Sequence, residues 1–196
     1  MPKMVKLLSS HSDKLLASIG VMLFFIDQKM AVISILLFMY LNIYEIEKTK
    51  KVYTTEKLKN TLILFIIANI VIYIVSISSK YLLPEFDEQN IVQYFKHNKI
   101  TELEVLNIVV VVPIIEEIVF RGLFYKLLRS YFSIVPSMLM SSIIFSIVHK
   151  NILVSIVLFS LGLILCYSYE RNKSIIYPIV IHSLFNLLML LLILYA

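Results

Sequence analysis

Long apolar runs alternate with short polar breaks along the chain, and the run lengths define the elements. Residues 15–26 and 30–44 are apolar runs separated only by Asp27, Gln28 and Lys29. Both are short against a hydrocarbon core of about 30 Å crossed at about 1.5 Å per residue. The pair is therefore predicted as a hairpin, with one long span interrupted by Asp27 and Lys29 as the alternative. Lysines precede the first run, as in a secretory signal, but no small-x-small cleavage site follows it, which argues against one. Residues 45–59, with Lys48, Lys50, Lys51, Lys57 and Lys59, read as a basic loop or amphipathic stretch. Residues 61–79 form a clear span, in which Asn69 reads as a helix-packing hydrogen bonder. Residues 80–104 are the long polar connection, and His97 within it, like His11, is expected to be exposed.

The second half is denser in apolar residues. One helix is predicted over 102–131, with an amphipathic end at Lys126 and Arg129. Ser133 as cap and Pro136 in the first turn start a further span that ends at His149. Another span covers 151–169, where Gly162 and Cys166 form a small-xxx-small face for close helix contact. After a polar break at 170–173 the last span begins near Ile175, is started or bent by Pro178, and carries His182 and Asn186.

Composition sharpens this picture. Of 196 residues, 60% are hydrophobic and only 16% charged, and the mean hydropathy is +0.90, which excludes an ordinary soluble domain. The fold class is all-α: a polytopic transmembrane helix bundle of about seven membrane segments with a polar intramembrane cavity. One membrane domain is expected, with N-terminal membrane helices and a surface loop over 1–104 and a helix core over 105–196. The formal charge of +5 is spread over short loops, so it points to the lipid bilayer as partner and not to nucleic acid. Richness in Ile, Lys and Tyr suggests a bacterial cell-membrane protein. Cys166 stands alone, so no intramolecular disulfide forms. Most lysines and arginines fall at the N-terminus and in 45–59, 121–133 and 171–173, which would place those segments in the cytoplasm. Because Arg121 belongs to the polar centre and Lys126 is a candidate for burial, the count overstates the bias and the orientation stays open, as does the oligomeric state.

That polar centre is Glu116, Glu117 and Arg121, set in the apolar run after Pro113. A charge at membrane depth costs about 2.5 to 3.5 kcal/mol even on lenient scales and so signals a task or a partner. On a helix, Glu117 and Arg121 are four residues apart and can pair, while Glu116 points about 100° away and is left for chemistry. Pro113 has no N–H, leaves the Val109 carbonyl without its helical partner, and is expected to kink the helix. His149, and His182 with Asn186 one turn apart, add two imidazoles and a carboxamide at membrane depth. A carboxylate, two imidazoles and neutral donors are what peptide hydrolysis by activated water needs. The alternative is an interhelical polar network that only holds the bundle together.

Glu116-Glu117 with Arg121, then Phe145 with His149, then His182 with Asn186, in this order on successive apolar segments, resemble the three motifs of the CAAX protease and bacteriocin-processing family of intramembrane peptidases. The resemblance covers about residues 105–190. It implies that Glu116 and His149 activate water, that His182 and Asn186 stabilise the oxyanion, and that Glu117, Arg121 and Phe145 support them. It implies a membrane-associated peptide as substrate, in peptide maturation or bacteriocin immunity, and no cofactor. Two rival readings stay open: a zinc-dependent protease with Glu116, His149 and His182 as ligands, and a non-catalytic immunity or scaffold protein. For Glu116 and His149 to meet, the turn after Val148 must be recessed below the membrane surface, where backbone is tolerated only along a polar cavity.

Overall fold

The first two apolar runs fold as a hairpin. The helix α1 (His11–Ile26) stops where Asp27 takes extended backbone, with φ −149° and ψ 123°. The Asp27 carboxylate accepts the Lys29 N–H at 2.9 Å, closing the turn into α2 (Ala31–Lys48). The computed structural model describes residues 8, 10–48, 54–82 and 100–195. Among the described residues the protein is all-α, with seven helices and no strand. The others are α3 (Thr55–Leu82), α4 (102–129), α5 (Ile134–Ile147), α6 (Ile152–Asn172) and α7 (Ile176–Tyr195).

Three stretches are long and apolar enough to cross a membrane by length and composition: Thr55–Ser78, Val154–Asn172 and Ile176–Tyr195. On α3 the side chains of Ile66, Ile70, Tyr73 and Ile77 are exposed, which in an apolar helix of this length is the lipid-facing side. The basic connection is shorter than the sequence suggests, because α2 continues to Lys48 and α3 begins at Thr55. Lys50, Lys51 and most of the 80–104 connection, His97 included, lie outside the described residues. His11 is exposed. Asn69 bonds the Phe65 carbonyl of its own helix at 2.7 Å rather than a neighbouring helix.

The core is built mainly by α4, α5, α6 and α7. Phe120, Phe145, Leu161, Leu165, Ile181 and Phe185 are buried together. A second cluster, with Ala17, Val21, Phe38 and Leu123, ties the N-terminal hairpin to α4. Asn151 caps α6 by accepting the Val154 N–H at 3.1 Å. Ser133 stands at the cap position of α5, as predicted, but its hydroxyl makes no capping bond. At Gly162 a Cβ would lie 2.9 Å from Cβ and 3.1 Å from Cα of Ser142, so glycine there is what lets α5 and α6 touch.

Two sequence expectations are corrected at the other end of the bundle. Lys126 and Arg129 do not form an amphipathic end; both are buried. Lys126 donates to the Asn42 side chain, and Arg129 pairs with Glu170 at 2.8 Å. Glu170 is likewise no loop residue. It lies buried in α6 and also accepts from Tyr125 at 2.9 Å and Lys173 at 2.6 Å. A carboxylate with three donors can be buried where an isolated one cannot, which is why these charges fold inward.

Candidate active site

The helix α4 carries the two glutamates, and its backbone is not regular. Over Asn107–Val111 and Ile118–Tyr125 it is widened, with hydrogen bonds reaching five residues back, while Val112–Glu117 between them is ordinary α-helix. Pro113 sits in the first turn after a widened turn, where its missing N–H is tolerated. Single widened turns of this kind gather at functional sites.

Glu117 and Arg121 pair as their spacing requires, at 2.7 Å, and both side chains are fully buried. The Arg121 guanidinium also donates to the Gly162 carbonyl at 3.2 Å and lies 4.5 Å from the centre of the Phe145 ring. Glu117 has a further partner that its spacing did not reveal: the same Oε1 accepts from His182 Nδ1 at 2.9 Å. Glu116 points elsewhere. Its Oε1 is 4.0 Å from His149 Nε2, and its Oε2 is 3.7 Å from His182 Nε2.

His149 comes from the end of α5. At 14 residues, α5 spans about 21 Å by its rise, short against a hydrocarbon core of about 30 Å. His149 follows Val148, in a turn after which Lys150 takes the left-handed region at φ 56°. The short helix fits the recessed turn that the sequence calls for, and His149 and Lys150 are exposed along the turn. His182 is buried inside α7, and Asn186, one turn further along, donates to the Ile108 carbonyl at 3.0 Å. The distances place Glu116, His149 and His182 together, while Asn186 donates to the backbone of α4.

Hydrogen-bond partners fix the protonation pattern of both rings. His149 Nδ1 lies 2.9 Å from the Phe145 carbonyl, and His182 Nδ1 faces the Glu117 carboxylate. Both partners only accept, so in each neutral ring the proton sits on Nδ1 and Nε2 presents a lone pair to Glu116. Phe145 holds both rings edge to face, at 5.4 Å from His149 and 5.8 Å from His182. Two imidazole lone pairs and a carboxylate therefore meet at one place, an all-acceptor set that suits the two hydrogens of a water molecule. Among the described residues no group of three His, Cys, Asp or Glu side chains is arranged to hold a metal ion.

Apolar helices around two glutamates, an arginine and two imidazoles make this a membrane protein with a polar centre. Residues 100–188 match the family model described as Type II CAAX prenyl endopeptidase Rce1-like. Over that segment, which holds every residue of the three motifs, the protein is similar to the CAAX proteases that the motifs resemble. No curated protein and no solved structure matches the chain.

Proposed function

We propose that this protein is an intramembrane endopeptidase that hydrolyses a peptide bond of a membrane-associated peptide by a water held on Glu116. The observation that carries the reading is the convergence of Glu116 with the Nε2 atoms of His149 and His182, at 4.0 and 3.7 Å. Glu116 takes a proton from the water as it attacks the carbonyl carbon. His149, whose Nε2 shares the pocket and whose side chain is 30% exposed, takes part in that transfer and passes the proton towards the leaving amine. His182, oriented by Glu117, accepts one hydrogen of that water on its Nε2 lone pair and aims the oxygen at the carbonyl carbon. Asn186 spends one Nδ2 hydrogen on Ile108 and has a second to offer the oxyanion that forms. Glu117, Arg121 and Phe145 hold the rings and the charge in place. The short α5, ending at an exposed turn, supports entry of substrate from the side, and a short peptide or leader in a bacterial cell membrane, in maturation or bacteriocin immunity, is the substrate class we favour.

A test that also finds the substrate is proteomic comparison of peptides released by cells carrying wild type and Glu116→Gln. Peptides present only with wild type are expected, with equal amounts of folded protein in both. Identical peptide sets would remove the glutamate mechanism and favour a scaffold or immunity protein.

A further inference from the structure

The widened turn ahead of Pro113 leaves one carbonyl that the helix itself cannot serve. The Val112 N–H reaches back five residues to the Asn107 carbonyl, passing over Ile108, its partner in a regular helix. On the same five-residue step the next donor for Ile108 would be residue 113, and a proline has no N–H. A carbonyl skipped by its helix at membrane depth is costly unless something else reaches it. Asn186 Nδ2 does so at 3.0 Å, across 78 residues of sequence.

We propose that Asn186 is a positioning residue that pins α7 to the widened turn of α4 and thereby sets the rotation of Glu116 towards His182. This rests on the peptidase reading for its functional consequence and goes beyond the oxyanion contact. A widened turn holds one extra residue, which shifts the two flanking halves of a helix by about 100° relative to each other. The widened turn and the half behind it, which carries Glu116, both pack on α7. Asn186 and His182 lie on one face of α7, four residues apart, so the hydrogen bond that holds the turn also holds the imidazole beside the carboxylate. Pro113 and Asn186 act as a matched pair: one removes a donor, the other replaces it.

The pairing gives a double-mutant test. Asn186→Ala strands the Ile108 carbonyl, whereas Pro113→Ala restores an N–H that can take its place. In lipid nanodiscs, Asn186→Ala is expected to lower the thermal midpoint and to lower kcat at least about tenfold with KM little changed, as expected for an unsatisfied buried acceptor that misplaces the reacting groups. Adding Pro113→Ala should recover most of the midpoint and at least about half of the lost rate on a logarithmic scale. Asn186→Asp, which keeps the shape but cannot donate when ionised, should follow the alanine variant and covers the case in which alanine fails to fold. Double variants no better than the Asn186 single variants in both readouts would overturn the proposal. The midpoints read the coupling without any cleavage, so a wild type that cleaves nothing would sink the peptidase reading while the thermal arm still decides this one.

Discussion

Glu117 does two jobs with one oxygen: Oε1 pairs with Arg121 and also fixes the Nδ1 proton of His182. Removing one member of a buried ion pair costs about 3 to 5 kcal/mol because it strands the other charge, whereas replacing both by apolar groups of similar size is often neutral. Glu117→Ala is therefore expected to lower the thermal midpoint sharply, and the double variant Glu117→Leu with Arg121→Met to restore it. Peptidase activity should stay low in the double variant, because His182 has lost the acceptor that turns its Nε2 towards Glu116. Restored activity would mean that Glu117 serves stability alone. At this scale the sequence was informative about pairs on one helix and silent about pairs between helices. The four-residue spacing of Glu117 and Arg121 announces their bond, while the contact of Glu117 with His182 spans 65 residues. The inward fold of Lys126, Arg129 and Glu170 likewise depends on three helices meeting.

Among the elements, α5 and α6 set the depth of His149. Their contact at Gly162 leaves no room for a side chain, since a Cβ would meet the backbone of Ser142 at 3.1 Å. Gly162→Val is expected to cost about 1 to 3 kcal/mol through overpacking and to cut kcat by moving α5, and His149 with it, away from Glu116. Thermal unfolding and single-turnover rates would check both; an unchanged rate would show that the site does not depend on this contact. Element boundaries were legible wherever a polar break was sharp, as at Asp27 and Asn151. Pro113 was legible as a perturbation of its helix, whereas the widened turn ahead of it was not. The donor on α7 that serves this turn is 78 residues away, and hydropathy does not report it.

Over the whole molecule, the N-terminal hairpin and α3 surround the segment that carries the chemistry. Every motif residue lies within 100–188, the stretch that matches the CAAX prenyl endopeptidase model. The apolar composition announces an all-α membrane bundle, but not which polar groups would come together. That convergence is the central claim, and Glu116 and His149 are its two most separate members, one mid-helix and one on the turn after α5. Groups that act on the same water as a unit lose activity together, so their single and double variants fall to nearly the same rate. The most direct measurement is the single-turnover cleavage rate of a peptide released by wild type, taken for Glu116→Gln, His149→Ala and the double variant. Each single variant should lose at least about a thousandfold and the double variant little more than either. Full activity in Glu116→Gln, or single losses that simply multiply in the double variant, would contradict it.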